Sequence, residues 1–205
     1  GKYRLGSPVP ADSRGASSSP IVTWLSVFGE RIESFIQLAE EKNIHAVTLK
    51  EIAIRSGIKR SSLYKFFPSN LALLYALSEK HLNKLLKMVN ANTADVNFKN
   101  SMEFTMLIID LLTIYLNEHK GSAIMFLSND LPTKLEITLH SNTLFSSEML
   151  NKINQKISNV DNERVNNNFS IIFALLSQGY QKEGTISPRI VNETKKASLA
   201  YLSAY

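Results

Sequence analysis

At 205 residues, 44% of them apolar, the chain can bury a sizeable core in one or two domains, and with eight Gly and six Pro, three of those Pro inside the first twenty residues, it is poor material for a many-turned all-β fold. It has no Cys, which removes disulfides, thiolate metal sites and a Cys nucleophile and fits a reducing cytoplasm. The net charge of +5 is uneven: residues 1–88 hold 13 Lys/Arg against 7 Asp/Glu, whereas residues 89–205 hold 10 against 11. A basic part suited to a polyanion is thus joined to a near-neutral apolar part.

Residues 1–20 (GKYRLGSPVPADSRGASSSP) have almost no periodic apolar content and are expected to be a disordered arm or residues left by expression. No basic start leads into an apolar stretch of signal-peptide length, so secretion is not indicated and a cytoplasmic chain is expected. From Ile21 to Lys42 the positions Trp24, Leu25, Val27, Phe28, Ile32, Phe35, Ile36 and Ala39 recur at helical steps, and Asn43 is a plausible left-handed stop.

Thr48-Leu49-Lys50-Glu51 has the capping-box pattern, so a helix should begin at Leu49, carry Leu49, Ile52 and Ala53 inward and end at Gly57. A second short helix should start near Lys59 and run to Phe66 or Phe67, because Pro68 biases its predecessor away from the α region. Two short helices around a tight turn at Gly57 have the spacing of a helix-turn-helix. Ser69 is a good N-cap for the next helix, in which Leu71, Leu74, Tyr75, Leu77, Leu82, Leu85 and Leu86 carry an amphipathic pattern to about Asn90.

On a helical wheel of about 100° per residue, Phe67 falls beside Leu63, while Ser61 and Lys65 point away and Ser62 and Tyr64 lie on the flanks. Residues 52–78 contain no acidic side chain, and Lys50, Arg55, Lys59, Arg60 and Lys65 against Glu51 give residues 48–66 a charge of +4. Small hydroxyls, a phenol and cations on one face suit a phosphate-lined groove: Ser bonds to several base edges, Arg and Lys reach guanine acceptors, and Tyr bonds phosphate oxygens.

Further helices are expected at about 99–119, 122–129, 133–157, 163–182 and 188–204, separated by Gly121, 130–132, 159–162 and 184–188. The longest apolar run, Phe104–Leu116, spans thirteen residues and contains Asp110, short of the roughly 20 a bilayer needs. The expected fold is all-α with about nine helices: a helix-turn-helix domain over 21–68 and a second helical domain over 69–205.

The stretch TLKEIAIRSGIKRSSLYKFFPSN resembles the N-terminal signature of the TetR family of transcriptional regulators. The motif covers roughly residues 21–86, and Leu63-Tyr64, Phe66-Phe67 and Ser69 after a one-residue gap are its most specific elements. The resemblance implies that Thr48 and Lys50 touch the DNA backbone or an edge base and that Arg60, Ser61, Ser62, Tyr64 and Lys65 occupy recognition-helix positions. Ser69 and Asn70 complete the candidate contacts at the start of the next helix. Lys59 stands where the family usually has a Ser or Thr cap, Phe66 where a His or Tyr adds a phosphate contact, and Asn70-Leu71 where Lys-Glu is common. These departures weaken the phosphate clamp after the second helix, and Lys59 is placed to compensate.

The resemblance further implies a homodimer on a pseudo-palindromic operator, in the role of a repressor, with a small-molecule effector in the C-terminal domain. Phe104, Leu107, Tyr115, Met125, Phe126, Phe145, Met149 and Phe173 are candidates to line an apolar effector cavity, and are equally suited to ordinary core. Ile171, Ala174, Leu175, Gln178, Leu199 and Leu202 are candidates for the dimer face, with small Ala174, Ser177 and Gly179 allowing close helix approach, a pattern that burial within the chain explains nearly as well. His45, His81, His119 and His140 are scattered without metal-ligand spacing, and no GxSxG or phosphate-cradling Gly loop occurs, so neither an enzyme nor a metal or other cofactor is expected. The alternative is a helical interaction module whose basic N-terminal patch binds an acidic partner or a membrane surface.

Overall fold

The structure, a computed structural model, describes Leu38 and residues 48–127 and 132–204. The expected arm over 1–20, Asn43, Asp130 and the helix over 21–42, apart from Leu38, lie outside the described residues. Among the described residues there are eight α-helices and no strand: α1 (Leu49–Ser56), α2 (Arg60–Phe66), α3 (Asn70–Thr93), α4 (Ser101–Glu118), α5 (Lys120–Leu127), α6 (Pro132–Lys156), α7 (Asn162–Glu183) and α8 (Pro188–Ser203). The chain divides into two compact units, Gly1–Ala76 and Leu77–Tyr205, and α3 begins in the first and ends in the second.

Local chemistry sets most helix ends. Asn100 accepts from the Glu103 N–H at 3.0 Å to start α4, Asp161 from the Arg164 N–H at 3.0 Å to start α7, and Ser187 from the Ile190 N–H at 3.4 Å, with Pro188 following, to start α8. Gly184 ends α7 in the left-handed conformation at φ 69°, where a side chain would crowd the backbone. The long α3 runs to Thr93, past the expected Asn90. Its last turn is held by the Asn92 amide donating to Met88 O and the buried Thr93 hydroxyl donating to Val89 O, both at 2.8 Å.

One expected separator is misplaced. Gly121 is inside α5 and buried, and the chain turns one residue after α4, at His119, whose N–H reaches back to Tyr115 O at 2.9 Å. The reason is tertiary: Gly121, Ser122, Ala123, Met125, Phe126 and Leu127 are all buried in this eight-residue helix, so packing carries it over a residue whose propensity argues for a break.

In the second unit α4 carries eight buried side chains, among them Phe104, Ile108, Leu112 and Leu116, and packs on α5 and α8. The α7 helix packs on α5, α6 and α8. Between α6 and α7, Phe145 meets Phe169 and Phe173 edge to face, with ring centroids 6.0 and 5.8 Å apart. Polar contacts fix the connections. The Asn117 side chain donates to Ile186 O and accepts from Ile186 N–H, each at 2.9 Å, and so pairs with the α7–α8 link as a backbone amide would. Lys156 donates to Ala94 O at 3.1 Å and Val96 O at 3.3 Å, closing the α3–α4 link. Lys195 on α8 pairs with Asp110 on α4 at 2.6 Å.

The helices α7 and α8 run antiparallel: Asn168 donates to Ser198 Oγ at 2.9 Å near one end, and Gly179 faces Ile190 near the other. A Cβ at Gly179 would lie 2.5 Å from Ile190 Cγ1 and 2.7 Å from its Cγ2, so the absent side chain is what admits buried Ile190. Branched Ile190 cannot swing aside within the core. Gly179→Ala should therefore destabilise the chain by about 1–3 kcal/mol through overpacking. Urea unfolding should show this cost shrinking when Ile190→Ala makes room; an undiminished cost would place the strain elsewhere.

Candidate nucleic-acid interface

The basic face is built on a turn fixed by three local devices. At the start of α1 the Glu51 N–H donates to Thr48 Oγ1 at 3.2 Å and the Thr48 N–H donates to Glu51 Oε2 at 3.0 Å, which completes the capping box. At its end Gly57 takes φ 66°, ψ 17°, the left-handed region where residues other than Gly are strained. Across the turn the Ser56 hydroxyl donates to Ile52 O at 2.6 Å and accepts from the Ile58 N–H at 3.4 Å. The chain thus leaves α1 at a defined angle and enters α2 after a turn of three residues, Gly57 to Lys59. Lys59 occupies the cap position of α2 without a side-chain cap bond, as its departure from the family pattern implied.

The α2 helix is held from one side only. Leu63 is 2% exposed and Phe67 5%, while Lys59, Arg60, Ser61, Tyr64 and Lys65 are exposed and Ser62 is half-buried. The wheel set Leu63 and Phe67 apart from Ser61 and Lys65, and α1 and α2 are distinct helices packed on each other, with Leu49, Ile52, Ala53, Ile58 and Leu63 all buried. Lys50 is exposed on α1. Among the described residues none of Lys50, Lys59, Arg60 and Lys65 meets a carboxylate within ion-pair distance. These cations keep their charge available to an external anion.

Other expected contacts are partly committed. The Thr48 hydroxyl, besides accepting its cap bond, donates to Glu51 Oε2 at 3.2 Å. Exposed Ser69 accepts from the Ala72 N–H at 3.2 Å and so caps α3 as expected. Asn70 is the first residue of α3, and its side chain lies outside the described part.

Two features were not expected. Arg60 donates from Nη2 to the Tyr64 hydroxyl at 3.3 Å, with its guanidinium carbon 5.1 Å from the Tyr64 ring centroid. The four-residue spacing on one helix was the available signal. Phe66 and Ile54 are 39% and 73% exposed, so the face of this unit is not purely polar.

In the second unit Phe104, Tyr115, Met125, Phe126, Phe145, Met149 and Phe173 are all buried, and Leu107 is half-buried. They lie in the close-packed interior of α4 to α7. Of these eight, Phe173 lines a described groove, about 310 Å³ between α6 and α7, whose other walls include Thr138, Asn142, Ser146, Ser170 and Ser177. Among the dimer candidates Ala174, Gln178 and Leu199 are exposed and Ile171 and Leu175 half-buried. Leu202 is 7% exposed, so its apolar surface is already covered within its own chain, and Gly179 serves the α7–α8 contact described above. Among the described residues no three His, Asp and Glu side chains are grouped to hold a metal ion, and no helix is long and apolar enough to cross a membrane.

Residues 33–77 match the family model described as bacterial regulatory proteins, tetR family. The fold is similar to that of a TetR-family transcriptional regulator from Streptomyces coelicolor, with a TM-score of 0.65 at 12% identity, covering 85% of this chain and 99% of that one. No curated protein matches the chain by sequence.

The one-sided anchoring of α2 has a measurable signature. Leu63→Ala should cost about 2–5 kcal/mol of unfolding free energy, whereas Ser61→Ala should stay within about 0.5 kcal/mol of the parent. Denaturant melts followed by far-ultraviolet circular dichroism measure both, and equal costs would mean that Ser61 is not on a free face.

Proposed function

We propose that this chain, whose residues 33–77 match the tetR family model, is a DNA-binding transcription regulator that binds a pseudo-palindromic operator as a homodimer, and that a small molecule held by the C-terminal helices adjusts that binding. The observation that carries the reading is the solvent-facing side of α2, where Arg60, Ser61, Tyr64 and Lys65 stand exposed on a helix anchored by Leu63 and Phe67. Small hydroxyls let such a helix approach base edges closely, and the cations at Lys50, Lys59 and Lys65 are matched to phosphates that set its register. Two copies related by a twofold axis would place two such helices in successive major grooves, one helical turn apart.

For the dimer, the exposed side chains of Ala174, Gln178 and Leu199, with Ile171 and Leu175 at their edge, supply the self-complementary face. For the effector, the apolar interior around Phe104, Tyr115, Phe126 and Phe145 suits a largely apolar molecule, entering by displacement of side chains that are close-packed without it. The α3 helix is a single element shared by both units, so a ligand that shifts its second half changes the pose of its first. A coupling of about 1–3 kcal/mol would alter operator affinity roughly 5- to 150-fold, in the direction of release for a repressor.

Selection of random duplexes by the purified chain, sequenced for a consensus, tests the reading. The expected result is a twofold-symmetric motif whose binding weakens steeply with salt, at a slope set by about three to five phosphate contacts per subunit. Lys65→Ala should lower that slope by about one. Enrichment without symmetry removes the dimer, and equal binding to heparin and to every duplex favours an acidic-partner module instead.

A further inference from the structure

The pairing of Arg60 with Tyr64 is not explained by a need to satisfy either group. Both are exposed, and either could be solvated by water at no cost. Among the described residues Arg60 has no carboxylate partner, so an ion pair does not hold it there. The guanidinium nevertheless lies along the Tyr64 ring, 5.1 Å from its centroid, with Nη2 donating to the hydroxyl at 3.3 Å. One donor of the guanidinium fork is thereby committed to a fixed neighbour on the same helix, and the ring limits the plane the others can occupy.

The position of the pair gives this ordering a use. Arg60 is the first residue of α2, and the N-terminal residues of a helix lying in the major groove are those that meet base edges. Ser61 beside it is small and exposed, so its side chain leaves room next to the fork. A phosphate accepts an Arg from many directions, whereas the O6 and N7 acceptors of guanine accept a planar fork in one plane. Restricting the rotamers of Arg60 before DNA arrives therefore favours a base contact over a backbone contact.

Resting on the operator reading above, we infer that Tyr64 is a positioning residue for Arg60: its ring and hydroxyl orient the guanidinium for bidentate contact with one guanine in each half-site. The hydroxyl accepts from Arg60 and keeps its own proton, which can still be given to a neighbouring phosphate oxygen.

The test uses the full chain and the random-duplex selection, with Tyr64→Phe, Tyr64→Leu and Arg60→Lys beside the parent, and 7-deazaguanine placed at the selected guanine as the probe of N7. The parent should discriminate guanine from the other bases at one position of each half-site by about 10-fold or more, and lose that much affinity on 7-deazaguanine. Arg60→Lys, which keeps the charge but not the fork, and Tyr64→Leu should both flatten the preference at that position while leaving the other positions selected. Tyr64→Phe, which keeps the ring, should fall between, and because it removes one oxygen from an exposed site it decides the matter alone if Tyr64→Leu fails to fold. The salt slope of Tyr64→Leu should fall by less than one, since the Arg60 charge remains.

The inference is overturned if Tyr64→Phe and Tyr64→Leu select the parental consensus with the guanine preference intact, or if they weaken binding uniformly at every position. A parental pool without any consensus overturns the operator reading itself, and this inference with it.

Discussion

The candidate DNA-binding face depends on one constraint: α2 is a seven-residue helix, too short to persist by its own hydrogen bonds, and it exists because Leu63 and Phe67 are buried behind it. That burial fixes its rotation. With Leu63 turned inward, Ser61 and Lys65 have no choice but to face solvent, and the polar character of the face follows from sequence period rather than from any contact on the face itself. Gly57 fixes the remaining degree of freedom, the angle at which α2 leaves α1, since its left-handed conformation is one that a substituted residue would adopt only under strain.

The same economy of local determinants explains what could be read in advance. The capping box at Thr48 and Glu51, the left-handed stop at Gly57 and the Ser69 cap each involve residues within four positions of one another, and each formed as expected. The inward set of α2 was legible for the same reason, because a helical wheel needs only the order of residues. What was not legible involves partners far apart in the chain. Gly121 reads as a break and is instead buried within α5, and Gly179 reads as a notch for close helix approach without showing that its occupant is Ile190 of its own chain. Asn117 carries no sequence mark of its task, since the groups it binds lie 69 positions away.

The Arg60–Tyr64 pair stands between these cases. Its spacing of four was visible, and both residues were among the expected recognition-helix positions. Sequence order alone allots one contact to a base and one to a phosphate and carries no sign of the geometry that joins them. Side chains on one helix face share rotamer choices, and a preference expressed by one is partly the property of its neighbour.

The seating of Ile190 opposite Gly179 bears on which parts of the C-terminal unit can move. A branched side chain lodged in a backbone notch resists both sliding and rolling of α8 along α7, and the buried Asn168–Ser198 bond repeats the restraint near the opposite end. These two helices therefore respond to a perturbation as one solid plate.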